Sequence, residues 1–100
     1  MRIVSWNVLA NYAGAHPETH APLVRWKALV RAANWGSMDE VRLAAPSAKI
    51  LNAERARFEV AGGNFRMIVA FDFRRQIAFV KFIGTHAEYD RIDALTVSQF

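Results

Sequence analysis

The chain has 100 residues, 53% of them hydrophobic, with a formal net charge of +4 at pH 7. That length suits one domain over residues 1–100, that apolar content excludes a globally disordered chain, and the basic balance favours an acidic partner such as nucleic acid. The chain has no cysteine, which excludes disulfides, thiolate metal sites and cysteine catalysis and suits the cytoplasm, and it has no apolar run long enough to span a membrane.

The first residues, Met1 to Asn7, lack the long apolar stretch of a secretory signal. The β-branched Ile3 and Val4 predict a short strand over Met1–Val4, and Ser5 is placed to cap a helix from Trp6 to about Ala15. Trp6, Leu9, Ala10 and Ala13 fall on one side of that helix. His16-Pro17 ends it, because the residue before proline avoids helical angles. Pro22 fits the first turn of a second helix reaching about Ala33, with Leu23, Trp26, Leu29, Val30 and Ala33 as its buried stripe. Ser37 and Glu40 have capping-box spacing and start a short helix to about Ala44. The stretch Ala48–Ala53 reads as a loop, with Ile50 and Leu51 tucked under a sheet.

The period then changes from 3.6 to 2. Ala56, Phe58 and Val60 alternate with Arg55, Arg57 and Glu59; Phe65, Met67, Val69 and Phe71 alternate with Arg66, Ile68, Ala70 and Asp72. Gly62-Gly63 and Arg74-Arg75 supply two reverse turns, and Ile77–Ile83 forms a third strand. The fold expected is α+β: an N-terminal strand and two to three helices on one face of an antiparallel three-stranded meander.

The turns set a register. The first hairpin pairs Val60 with Phe65, Glu59 with Arg66 and Arg57 with Ile68. The second pairs Phe71 with Ala78, Val69 with Val80, Ile68 with Lys81 and Arg66 with Ile83. One face then holds Phe58, Val60, Phe65, Met67, Val69, Phe71, Val80 and Phe82, and the helices must cover it. The other carries Arg55, Arg57, Glu59, Arg66, Ile68, Phe79, Lys81 and Ile83, with His86 and Tyr89 at its rim.

This collection suits RNA cleavage. The reaction needs a proton carrier, a cation for the phosphorane and a group that positions the base. Histidine, arginine with lysine, and tyrosine supply these in turn. Arg66, Lys81, His86 and Tyr89 are the candidate catalytic set, with Arg55, Arg57, Arg66 and Lys81 as RNA-binding cations. Each has a structural reading too. Thr85 to Glu88 is itself a capping box, Tyr89 fits a core, Arg66 fits an ion pair with Glu59, and Lys81 fits a solvated face. His16 and His20 are four apart, but Pro17 and Pro22 argue against one helix face and no third ligand is evident, so no metal site is expected.

Leu23-Val24-Arg25-Trp26, Ala33-Asn34-Trp35, Pro46-Ser47-Ala48, Arg55 to Val60, Arg66-Met67-Ile68-Val69 and Gly84-Thr85-His86-Ala87-Glu88-Tyr89-Asp90 together resemble HigB-type toxins of the RelE/ParE superfamily. The resemblance runs through nearly the whole chain, and its ending is the most specific part. It implies a RelE-like α+β fold and a toxin of a type II toxin–antitoxin system. It further implies a ribosome-dependent mRNA endonuclease working by metal-free 2′-hydroxyl attack, with no cofactor. The family's strand arginine falls on Arg66 and its terminal histidine and tyrosine on His86 and Tyr89; a role for Lys81 is less directly carried. The partners implied are an antitoxin with a DNA-binding helix-turn-helix, the ribosome and mRNA, and no membrane. Two alternatives stay open: a non-catalytic toxin binding a protein such as gyrase, and a degenerate toxin that only binds its antitoxin. The chain departs from relatives at Glu59 and at Gly62-Gly63, and Glu59 opposite Arg66 either neutralises it or serves as an extra base.

Overall fold

A computed structural model describes residues 1–100. Strand β1 (Arg2–Val4) leads into helix α1 (Trp6–Ala15). A 3-10 turn over Pro17–Thr19 follows, then α2 (His20–Ala32) and α3 (Met38–Ala44). The second half is β2 (Lys49–Ile50), β3 (Arg55–Val60), β4 (Phe65–Asp72) and β5 (Ile77–Thr85), closed by α4 (His86–Tyr89). The architecture is α+β and consistent with a RelE-like fold.

The meander is the centre of a larger sheet. Five strands lie in the order β1-β5-β4-β3-β2. β1 pairs in parallel with β5, Ile3 against Ala78, and β2 pairs antiparallel with β3, Lys49 against Arg57. The loop expected at Ala48–Ala53 therefore contains a short edge strand. A two-residue strand has no period for a sequence pattern to display.

Helix boundaries agree with the pattern, but the caps differ. Ser5 and Ser37 precede α1 and α3 without side-chain capping bonds. Glu40 instead reaches back to accept from the Gly36 N–H at 2.7 Å. At the other end of α2, the Met1 ammonium donates to the carbonyls of Val30, Arg31 and Ala33 at 3.0, 3.3 and 2.7 Å. A cation there complements the negative end of the helix and ties β1 to it. Leu29 departs from the expected stripe and is exposed, while Leu23, Trp26 and Val30 are buried.

The first hairpin has the expected register from Arg57↔Ile68 through Val60↔Phe65. The second follows expectation only from Phe71↔Ala78 to Val69↔Val80. A bulge then intervenes, so that Ile68 pairs with Phe82, Met67 with Ile83 and Arg66 with Gly84. The expected pairs Ile68–Lys81 and Arg66–Ile83 do not form. Lys81 is the extra residue, and the two residues after it exchange faces. Ile83 joins the main core cluster with Phe58, Met67, Val69 and Val80, while Phe82 does not. Phe82 and Ile68 are buried outside that cluster, on the opposite face. Trp26 packs edge-on against Phe58 and Trp35 against Phe71, both with ring centroids 5.9 Å apart.

Met67 is fully buried at the centre of β4. Met67→Ala should lower the unfolding free energy by about 2–5 kcal/mol, measured by urea denaturation.

Candidate functional site

The face opposite the helices carries one compact cluster of charge. Arg57 and Glu59 are two apart on β3, so their side chains share a face, and the ladder brings Arg66 of β4 opposite Glu59. Arg57 Nε lies 3.0 Å from Glu59 Oε1, and Arg66 Nε lies 3.4 Å from Glu59 Oε2. All three side chains are mostly buried, at 16% to 27% exposure, so this is not a loose surface pair. The two contacts differ in quality. Arg57 donates an aligned hydrogen bond, whereas the buried Arg66 N–H finds no aligned acceptor.

Tyr89 closes the cluster from α4. Its ring centroid lies 5.3 Å from the Arg57 guanidinium carbon and 5.0 Å from that of Arg66. Arg57 Nη1 reaches the Tyr89 hydroxyl at 3.5 Å, and Phe82 lies 6.3 Å behind the ring. Burial pulls the Arg57 proton affinity down, but the Tyr89 hydroxyl and the Glu59 charge outweigh it and hold the guanidinium above its ordinary value.

α4 is aimed by two devices. The His86 N–H donates to Asn64 O in the β3–β4 turn at 3.1 Å. Thr85 and Glu88 form a complete capping box: Glu88 N–H to the Thr85 hydroxyl at 3.1 Å, and Thr85 N–H to the Glu88 carboxylate at 2.9 Å. The structural reading of the motif holds, and the cap that starts the helix also fixes where its side chains begin. His86, Tyr89 and Asp90 fall on one side of that turn by spacing. His86 Nδ1 lies 3.2 Å from Asp90 Oδ2, and the imidazole is half exposed. Gly84 is required beside it, because a Cβ there would meet the Phe82 ring at 2.7 Å.

The bulge removes Lys81 from this cluster. Its ammonium lies 5.5 Å from the Phe79 ring centroid, in a cleft shared with Arg55 and Asp72. Arg55 is also diverted, since its Nη1 donates to the carbonyls of Ala94 and Val97 at 3.2 and 2.8 Å. The cation set expected on one face thus divides in two. Arg57 and Arg66 meet Tyr89, and Arg55 and Lys81 line the cleft. Sequence reasoning missed the His86–Asp90 contact, although the four-residue spacing signals it, and it missed Arg57 as the second partner of Glu59.

A family model for the HigB toxin, the RelE-like toxic component of a toxin–antitoxin system, matches residues 19–92. The chain belongs to this family. It is a HigB/RelE-like toxin, and membership implies an antitoxin as its partner. A search of curated proteins returns no match. All the residues of the arginine–tyrosine cluster lie within the matched span. No helix is long and apolar enough to cross a membrane.

The capping box gives a pH-dependent prediction. Hydrogen bonds from the Thr85 backbone and then its side chain hold the Glu88 carboxyl below its ordinary value of 4.5; burial opposes them, and His16 and Arg91 add smaller lowering effects. A depressed carboxyl stabilises the folded state above the unfolded value and loses that contribution as pH falls through the folded one. Glu88→Gln should therefore melt below wild type at neutral pH, and the gap should close as the solution is acidified through and below 4.5. Thr85→Ala should cost about 1 kcal/mol at neutral pH, read by thermal or urea denaturation.

Proposed function

We propose that this toxin is a ribosome-dependent mRNA endonuclease acting by metal-free attack of the RNA's own 2′-hydroxyl. The observation that carries the reading is the Arg66 guanidinium, mostly buried beside Tyr89 with an N–H that no protein acceptor satisfies. A buried donor left open costs free energy, and the part of this guanidinium that stays exposed, 17% of the side chain, fits a phosphate oxygen. A planar guanidinium at a phosphorane supplies preorganised positive charge, which usually lowers the barrier of such a reaction more than any other single effect.

The remaining roles in this reading are assigned by side-chain chemistry. Glu59 accepts the 2′-hydroxyl proton while O2′ attacks phosphorus. The P–O5′ bond breaks, and the His86 imidazolium, oriented by Asp90, gives its proton to the leaving O5′. The products are a 2′,3′-cyclic phosphate and a 5′-hydroxyl. Tyr89 holds the base beside the cut by stacking or through its hydroxyl. Lys81 and Arg55, outside the cluster, contact the strand away from the cut.

One observation favours a second reading. Glu59 is shared between Arg57 and Arg66 and neutralises part of their charge. In that reading the chain keeps the fold and the antitoxin contact but cleaves weakly or not at all. Glu59→Gln separates the two. As a base, its loss should slow cleavage about 10²–10⁴-fold. As a brake only, its loss should raise both RNA affinity and cleavage.

The direct test is purified toxin with ribosomes and a defined mRNA, with 5′ ends mapped by primer extension. Wild type should cut within the translated frame. His86→Ala and Arg66→Ala should each lose about 10²–10⁴-fold in rate while melting as folded proteins. Full cutting by His86→Ala would refute its role. Inhibition of gyrase supercoiling without RNA cleavage would replace the nuclease reading with that of a protein-binding toxin.

A further inference from the structure

The cleft holding Lys81 has no part in the chemistry above. It encloses about 530 Å³ on the same sheet face as Arg66, bordered by Glu54, Arg55, Asp72, Phe73, Phe79 and Lys81. That volume lies in the range of small-ligand sites. Its place follows from the ladder, in which Arg55, Ala70 and Phe79 sit side by side across three strands. Ala70 is four residues along β4 from Arg66, roughly 14 Å at strand rise. The face between them is covered, since Ile68 is fully buried there and the segment carrying Ala94 and Val97 packs on Arg55, so a nucleic-acid strand that reaches both passes over that segment.

The lining is unusual for a structural hollow. It combines an aromatic plane, an ammonium, the Arg55 guanidinium tied to backbone carbonyls, and two carboxylates. The Phe79 ring is only half-buried, and Lys81 stands over it without an ion pair. Glu54 is exposed and also forms no ion pair. Asp72 spends one oxygen on the Arg75 N–H at 3.0 Å, and its other lies 3.8 Å from the exposed Arg75 guanidinium. Carboxylates accept and do not donate. They therefore reward bases that present N–H groups and disfavour those that present carbonyls.

We propose that this cleft binds one nucleotide of single-stranded RNA, with its base stacked on Phe79, its phosphate at Lys81, and an amino-bearing base edge, guanine foremost, facing the Glu54 and Asp72 carboxylates. Stacking on an aromatic ring accepts any base, so the ring supplies affinity and the carboxylates supply selectivity. Guanine offers adjacent ring N–H and exocyclic amino donors. Cytosine and adenine offer one amino group each. Uracil places carbonyls on both sides of its single N–H. The β5 bulge creates the site, because without it Lys81 would face Ile68 beside Arg66. The proposal rests on the RNA-binding reading for its choice of a strand over a free nucleotide, but the cleft itself is tested without cleavage.

The test uses the full-length toxin and amide NMR. Guanosine monophosphate, uridine monophosphate and a fully 2′-O-methylated RNA oligomer, which cannot be cut, are titrated separately. Guanosine monophosphate should shift Ala70, Asp72, Phe79 and Lys81 while sparing Thr85–Tyr89, and uridine monophosphate should bind more weakly. The oligomer should shift both groups and bind tighter than the mononucleotide; equal affinity would mark the cleft as a free-nucleotide site and overturn the strand assignment. Phe79→Leu should weaken oligomer binding about tenfold. Glu54→Gln, on the exposed rim, should keep the fold and abolish the preference for guanine. Equal binding of the two mononucleotides by wild type, or shifts confined to Thr85–Tyr89, would overturn the proposal. An inactive toxin whose cleft still binds guanosine monophosphate would sink the nuclease reading and leave the site standing.

Discussion

The pairing of β4 with β5, and the one extra residue in it, decides where every side chain of the site points. Up to Val69↔Val80 the ladder is regular; beyond it Phe82 takes the place opposite Ile68 that Lys81 would otherwise hold. An unbulged strand would put Phe82 into the helix-covered core and Ile83 beneath Tyr89. The bulge reverses this, so Ile83 completes the main core and Phe82 becomes the apolar support of the Tyr89 ring. The ladder disruption at Lys81 is offset by burial on both sides, since Phe82 and Ile83 are 4% and 1% exposed. Gly84 then lets the Phe82 ring lie close beneath α4, as no side chain occupies that space.

On this scaffold, Glu59 settles the electrostatics. Two guanidiniums on one face repel each other, and a carboxylate between them makes the arrangement tolerable in a partly desolvated site. The compensation is uneven. Arg57 is bonded to Glu59 and to the Tyr89 hydroxyl, whereas Arg66 is close to the carboxylate without an aligned bond. The pair therefore divides into an arginine that holds structure and an arginine with bonding capacity to spare.

The alternation of Arg55–Val60 and Phe65–Phe71 is enough to place the first hairpin residue by residue, because a slip would turn its whole apolar set to solvent. The capping box at Thr85–Glu88 is legible for a similar reason: its bonds are local. The bulge is not. Ile77–Ile83 contains no glycine or other mark of an extra residue, and Phe82 and Ile83 are both apolar, so either serves the core. The edge pairing of β1 depends on contacts distant in the chain, and β2, though it pairs locally with β3, is only two residues long and shows no period. Arg55 reads as free in the sequence because its partners are backbone carbonyls of Ala94 and Val97, which any residue type supplies.

That last contact limits what net charge reveals about binding. The segment from Asp93 onward crosses towards the free edge of β5, where Gln99 N–H donates to Lys81 O at 2.8 Å and the Gln99 side chain accepts from Ile83 N–H at 3.0 Å. It thereby satisfies backbone groups that β1 is too short to reach and occupies Arg55 on the way. Arg57 is committed to Glu59. Arg66 and Lys81, one in each half of the divided set, are the cations of this face whose head groups make no hydrogen bond within the protein. Long-range attraction of a polyanion depends on all the charges. Where it docks depends most on these two, whose head groups are not already tied to protein acceptors and so gain hydrogen bonds without breaking others.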